Sequence, residues 1–112
     1  MFHFLRSEEM PKGQSRTVRF EGQEYGAAAS FFYVDNDPGQ GPDLHVHPYP
    51  ETWIVQSGQA RIVAGDEQFE VGPGDIAVVP AGVPHKFTNI GDGRLVIFCV
   101  HQAGTMVQEN LE

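Results

Sequence analysis

Apolar and polar residues alternate through much of the chain in short runs, separated by turns rich in Gly, Pro, Asp and Ser. Because successive side chains of a strand point to opposite faces, this period of two indicates strands rather than helices. Strands are predicted near residues 2–5, 17–21, 25–34, 43–47, 51–57, 59–64, 67–71, 75–79, 84–89 and 94–100. Short strands at regular spacing predict an all-β fold, an antiparallel sandwich or barrel.

Three of these runs are apolar at odd and even positions alike: 31–34, 76–79 and 95–100. A strand with one face in water should alternate, so both faces of these strands are predicted to be buried. A single barrel has no second layer to cover its outer face. We therefore expect a two-fold homodimer that buries it. The alternative is that the N-terminal segment folds back over this face within one chain.

The stretch from Gly39 to Gly58 carries the strongest chemical signal. His45 and His47 are two residues apart, so a strand would present both imidazoles on one face. Two prolines then bend the chain, and Glu51 follows the bend. Two imidazoles and a carboxylate converging from the wall of a sheet form a partial metal site.

A second stretch, from Gly74 to Asn89, adds another histidine just after a Pro-x-Gly turn. The two stretches read G-x5-H-x-H-x3-E-x6-G and G-x5-P-x-G-x2-H-x3-N. The fixed positions are Gly39, His45, His47, Glu51 and Gly58 in the first, and Gly74, Pro80, Gly82, His85 and Asn89 in the second. In these two motifs the chain resembles the cupin superfamily, and a small member of it, over roughly residues 30–101.

The resemblance implies an antiparallel double-stranded β-helix, also called a jelly roll or cupin barrel. It implies four metal ligands, His45, His47, Glu51 and His85, holding one divalent transition ion. Iron and manganese come first as the expected metal, followed by nickel, zinc and cobalt. The reaction stays open, because one barrel carries many chemistries. The hypotheses are a metal-dependent dioxygenase or isomerase/lyase acting on a small oxygenated compound, and a non-catalytic module that binds or senses a small ligand.

Aromatic residues near the expected ligands are candidates for the wall of a small-molecule pocket. Strand alternation turns Trp53 inward with Glu51 and Phe87 inward with His85. The preceding strand would contribute Phe31 and Tyr33, or else Phe32. Tyr49, between two prolines, is expected at the pocket rim, its bland alternative being a surface aromatic.

Other reactive residues receive plainer interpretations. Cys99 lies in an apolar run and is interpreted as a buried packing residue without a basic partner. Asn89 is expected to tie down backbone at a turn. His101 is more readily a rim histidine than a residue of the pocket, and no function is expected of His3 near the N-terminus.

The composition fits one globular domain over residues 1–112, with 40% hydrophobic residues. The net charge of −8 and the pI near 4.9 disfavour nucleic acid and anionic membrane as partners. The first ten residues contain acids and no long apolar core, which is unlike a secretory signal. With a single cysteine, the chain is expected to be cytoplasmic.

Overall fold

The computed structural model describes residues 2–10, 12 and 16–112 and confirms the all-β prediction. Two short 3₁₀ turns, Ser7–Glu9 and Gly22–Tyr25, accompany the strands. The strands are β1 (Val18–Glu21), β2 (Ser30–Asn36), β3 (His45–Val46), β4 (Glu51–Ser57), β5 (Ala60–Ala64), β6 (Glu67–Val71), β7 (Ile76–Val79), β8 (His85–Asn89), β9 (Leu95–His101) and β10 (Glu109–Asn110). Among the described residues no helix has the length and hydropathy needed to cross a bilayer.

The strands form two five-stranded antiparallel sheets with the orders β1-β2-β9-β4-β7 and β10-β3-β8-β5-β6. Chain neighbours such as β3 and β4 lie in different sheets, while β4 pairs with β9 and β5 pairs with β8 across the sequence. The chain thus passes repeatedly from one sheet to the other. This is the double-stranded β-helix that was predicted.

Strand alternation creates the core between the sheets. Every second residue of β9 is buried, and β4 buries Glu51, Trp53 and Val55. The inward side chains of both sheets pack into one apolar cluster, whose members are Val34, Trp53, Val55, Ala60, Ile62, Val79, Phe87, Leu95, Ile97 and Cys99. Fully burying each large apolar side chain contributes on the order of 1.5–3 kcal/mol.

The N-terminal part of the chain departs from the prediction. Residues 2–5 form no strand, and Phe2 and Phe4 are 83% and 68% exposed. The strand predicted at 25–34 begins only at Ser30, because a 3₁₀ turn precedes it and Gly26 turns the chain at φ 78°. The strand predicted at 43–47 is confined to β3.

The outer face of the first sheet is apolar, as predicted, and the chain covers part of it. Phe20 of β1 stacks on Phe31 of β2, with ring centroids 4.9 Å apart. On β4 and β7, however, Ile54, Ile76 and Val78 remain exposed, the last two by 66% and 64%. We call these three residues the outer patch.

Residues 106–112, which we call the clasp, return across the second sheet and contain β10, a strand that was not predicted. β10 pairs with β3. The N–H of Leu111 donates to the carbonyl of Leu44 at 2.8 Å, and the N–H of Leu44 donates to Glu112 Oε1 at 2.7 Å. Lys86 Nζ lies 3.0 Å from the same carboxylate. The clasp is therefore fastened beside the first motif.

Candidate metal centre

The four predicted ligands lie together between the sheets. Glu51 comes from β4 of one sheet, whereas His45 and His85 are opposite residues on β3 and β8 of the other. His47 follows directly after β3. One ligating atom from each residue lies within 4.8 Å of the others, and all four side chains are buried.

The turn before β8 is fastened to the first motif. The N–H of Gly82 donates to the carbonyl of His47 at 2.9 Å. Gly82 has φ 78°, a left-handed conformation that favours glycine. The Pro-x-Gly turn thereby presents His85 to the histidines of the first motif.

The three histidines among the predicted ligands make the same kind of hydrogen bond. Each ring has its Nδ1 within hydrogen-bonding distance of a backbone carbonyl, which can only accept, so Nδ1–H is the donor. The pairs are His45 with Asp43 at 2.6 Å, His47 with Val107 at 2.8 Å and His85 with Val83 at 2.8 Å. A neutral ring then carries its lone pair on Nε2. Such carbonyl bonds fix the ring orientation of metal-binding histidines.

The two oxygens of Glu51 have different surroundings. Oε1 lies 2.9 Å from Nε2 of His85 and 3.1 Å from Nε2 of His47. Oε2 accepts a hydrogen bond from Trp53 Nε1 at 2.7 Å and lies 3.2 Å from Nε2 of His101. Oε1 therefore faces His47 and His85 of the predicted ligand set, while Oε2 contacts Trp53 and His101 on the other side of the carboxylate.

This arrangement fits a divalent ion. With Nδ1–H bonded to a carbonyl, a neutral His85 or His47 cannot donate from Nε2 to Glu51 Oε1. Among the described residues, Nε2 of His47 is buried without a hydrogen-bond partner. The Nε2 lone pairs of neutral His47 and His85 would repel the nearby Glu51 carboxylate unless a cation lay between them. Nitrogen and oxygen donors of this kind suit divalent transition metals. The cluster is consistent with a divalent metal site.

Electrostatics favour the protonation state that a metal needs at Glu51 and at His45, but not at His47. Burial opposes charge on Glu51, yet the surrounding histidines hold the pKa of its carboxyl far below the usual range. Burial lowers the pKa of His45, which keeps that ring neutral at pH 7. Burial also disfavours charge on His47, but the nearby carboxylate of Glu51 and the carbonyl of Val107 together outweigh burial and raise its pKa. Metal binding at His47 would therefore compete with a proton for the same Nε2 atom.

His101 belongs to the site, so its interpretation as a rim residue is wrong. Its side chain is 1% exposed. The N–H of Val107 donates to the Tyr49 hydroxyl at 3.1 Å, and that hydroxyl donates in turn to His101 Nδ1 at 2.7 Å. The proton of a neutral His101 then lies on Nε2, facing Glu51. The alternation of β9 could have shown this, because His101 shares the parity of the buried Leu95.

A cavity of about 490 Å³ opens beside the cluster, and the four predicted pocket residues lie at different positions relative to it. Phe87 lines the cavity, whereas Trp53 is buried next to Glu51. Tyr49, expected at the rim, is buried and stacked on a ligand ring at 5.1 Å. Tyr33 lies on the outer face, and its hydroxyl donates to a glutamine of β4 at 3.0 Å. From the same strand, the alternative candidate Phe32 lines the cavity.

Two further residues behave as predicted. Asn89 ties down the turn before β9: it donates to the carbonyl of Gly93 and accepts from the N–H of Gly91, both at 2.9 Å. Cys99 is buried, and burial raises the pKa of its thiol well above the usual value. The thiol is therefore neutral at pH 7.

The fold and the site together define a class of protein, a double-stranded β-helix whose interior holds a cluster of histidines and a glutamate suited to a divalent metal. The chain belongs to the cupin family, whose domain model matches residues 32–101. The clasp and β1 lie outside the matched residues.

Two curated proteins resemble part of the chain. An uncharacterized protein of Streptomyces coelicolor is 38% identical over 61 residues, which cover 54% of this chain and 58% of that protein. An uncharacterized protein of Methanocaldococcus jannaschii is 37% identical over 57 residues, covering 50% of this chain and 46% of that protein. The matched segment thus spans about half the length of these relatives.

Solved structures of oxalate decarboxylase have a similar fold. A Bacillus subtilis enzyme studied for its Mn(II) centres matches with a TM-score of 0.83 at 24% identity, covering 93% of this chain and 30% of that one. The formate complex of the Lactobacillus farciminis enzyme matches with a TM-score of 0.83 at 22% identity, covering 93% and 34%. At these identities the likeness shows the fold.

Proposed function

We propose that the chain binds one divalent transition metal ion through His45, His47, Glu51 and His85, and that this centre binds a small organic ligand in the adjoining cavity. The observation that supports this most directly is the orientation of the three rings. In each ring, Nδ1–H donates to a backbone carbonyl, so the lone pair of a neutral ring lies on Nε2 and is available to a cation. A packing role alone gives no reason for this shared orientation.

Iron and manganese are the first candidates for the ion, followed by nickel, zinc and cobalt, all of which tolerate imidazole and carboxylate ligands. The Mn(II) centres of the structurally similar Bacillus subtilis oxalate decarboxylase support manganese. The affinity order of the metals does not decide which of them is loaded in the cell.

The chain's own residues would prepare the centre for chemistry. A bound divalent ion can polarise an oxygen ligand and stabilise negative charge that develops on it. Glu51 would supply one negative charge to the centre, while its Oε2 accepts a hydrogen bond from Trp53 and lies beside Nε2 of His101. The walls of the cavity give a bound ligand its orientation and limit access of water.

Two uses of such a centre remain proposals. The first is catalysis, as a metal-dependent dioxygenase or an isomerase/lyase acting on a small oxygenated compound. The second is a non-catalytic module that binds or senses a small ligand. Dioxygen consumption and substrate turnover by the Fe(II)- and Mn(II)-loaded protein, over a panel of small acids, would separate the two.

Protein purified without a chelating tag is expected to hold about one divalent ion per chain, because the described residues contain one set of four candidate ligands. Elemental analysis after gel filtration measures the stoichiometry, and reloading of the chelator-treated protein supplies a second determination. Failure of the chelator-treated protein to bind Mn(II), Fe(II), Ni(II), Zn(II) or Co(II) would refute the proposal.

The bound ion is expected to be lost as the pH falls below roughly 6, because protonation and metal binding compete for the same Nε2 atoms. The raised pKa of His47 brings this competition to higher pH, and the lowered pKa of His45 delays it at that ring. Glu51 stays ionised throughout, since its pKa is depressed. Bound metal measured after dialysis over a pH series tests this. Unchanged affinity at pH ~4 would mean that the histidines are not ligands.

The protein is further proposed to be a homodimer that buries the outer patch. Ile76 and Val78 lie on β7, an edge strand of the first sheet, and remain exposed. Light scattering at micromolar concentration is expected to give twice the chain mass of 12.4 kDa. Ile76→Glu should shift the mass towards the monomer. A native mass near 12.4 kDa would mean that no second copy covers this patch.

A cytoplasmic location and a small-molecule partner complete the proposal. The buried Cys99 has no second cysteine with which to form an internal disulfide, and the net charge of −8 opposes binding to nucleic acid or an anionic membrane.

A further inference from the structure

The cavity beside the cluster carries little charge of its own. Among the described residues that line it, the ionisable side chains are His45, Glu51, His101 and Cys99, and neither lysine nor arginine contributes to the wall. The wall also contains three large apolar side chains and three carboxamides: Phe32, Val34, Phe87, Asn36, Gln40 and Gln108. With neither lysine nor arginine in the described wall, the main compensation for a bound anion would come from the metal centre.

A smaller cavity of about 340 Å³ adjoins the first, and Phe32 and Gln108 line both. Arg19 lines this second cavity. Its Nη2 lies 3.3 Å from Oε1 of Glu21, and its side chain is half exposed. This guanidinium is already paired with a carboxylate outside the main cavity.

We propose that the main cavity takes a singly charged chelating anion with an apolar body, such as a 2-oxo or 2-hydroxy acid with a hydrophobic side chain. This inference rests on the metal-binding function proposed above. A divalent ion held by neutral imidazoles and the carboxylate of Glu51 keeps one net positive charge. A singly charged ligand neutralises it. A doubly charged ligand leaves a negative charge without a cationic partner, which is costly inside a protein.

The shape and chemistry of the wall support the apolar body. Phe32, Val34 and Phe87 offer contact to a flat or branched hydrocarbon group. The cavity volume of about 490 Å³ falls within the range of sites for small organic ligands. An ion as small as oxalate would leave these apolar walls without contacts, although the similar solved structures are oxalate decarboxylases.

The test crosses ligand charge with ligand hydrophobicity. Protein loaded with Mn(II) is titrated calorimetrically at pH 7 with pyruvate, phenylpyruvate, oxalate and phenylmalonate. Phenylpyruvate is expected to bind at least about tenfold more tightly than either pyruvate or oxalate. Elemental analysis after each titration determines whether the ion stayed on the protein, because a chelating ligand can also remove it.

Two variants and one control test whether residues of the cavity wall determine this ligand preference. Phe32→Ala should remove most of the advantage of phenylpyruvate over pyruvate. Gln108→Arg adds a cation to the wall and should strengthen oxalate binding about tenfold relative to phenylpyruvate. Gln68→Arg, on the exposed strand β6, makes the same charge change and should leave the ranking unaltered.

The outcomes separate this inference from the metal proposal. If the metal-loaded native protein prefers oxalate, or binds none of the four ligands, the ligand class is wrong and the metal site stands. If the chelator-treated protein cannot be loaded at all, the metal proposal itself is wrong.

Discussion

His85→Ala is expected to retain less than about a tenth of the metal that the native chain holds after gel filtration. His85 is buried, and its Nε2 faces Glu51 Oε1 at 2.9 Å. Its removal takes away one of the four donors. His47→Ala should have an effect of the same size. Elemental analysis and competition with a fluorescent chelator measure the loss.

His3→Ala is the matched control, because His3 is an exposed histidine outside the cluster. Its metal content should equal that of the native chain. Circular dichroism of each ion-free variant checks that the barrel has formed. A folded and fully loaded His85→Ala variant would refute the ligand set.

Trp53→Ala is expected to lower the free energy of unfolding by about 3–5 kcal/mol, because it removes a large side chain from a packed core. Trp53 is fully buried and lies edge-on to both His85 and Phe87, at 5.4 and 5.3 Å between ring centroids. Urea unfolding of the ion-free protein measures the change. Phe69→Ala removes an exposed aromatic side chain from β6 and should change stability by about 0.5 kcal/mol or less.

Trp53→Phe separates the two roles of this residue. It keeps an aromatic ring in the core and removes the N–H that donates to Glu51 Oε2 at 2.7 Å. Metal affinity should fall about tenfold, as for other groups that orient a ligand, while the loss of stability should be smaller than for Trp53→Ala. Equal metal affinities of the Trp53→Phe variant and the native chain would show that this hydrogen bond does not support the centre.

The ligand cluster could be predicted because its geometry is mostly local. Strand parity aligns His45 with His47, and the proline-rich bend returns Glu51 to the same place. His85 is remote in sequence, and only the resemblance to the second cupin motif implied it as a ligand; the turn at Gly82 in that motif contacts His47 in the structure. Alternating strands such as β8 were predictable from this period of two, whereas β2, β7 and β9 were recognised as short apolar runs between turns.

The errors arise where distant contacts decide. A short apolar run at residues 2–5 has strand propensity, but it pairs with no strand among the described residues. Tyr33 and Phe32 are both aromatic neighbours, and only the register of β2 against β9 determines which one turns inward. His101 and Tyr49 meet across 52 positions of sequence, so neither position alone signals their hydrogen bond.

The clasp lies outside the residues that match the cupin model, yet it contacts two residues of the candidate metal centre. Residues 32–101 contain all four expected ligands, but the carbonyl that orients His47 and the N–H that orients the Tyr49 hydroxyl both belong to Val107. A chain reduced to residues 32–101 would keep all four expected ligands but would lose the Val107 carbonyl that orients His47. Replacing the clasp with another segment is therefore expected to change the orientation of His47 and the affinity of the proposed metal site, although none of the four expected ligands is altered.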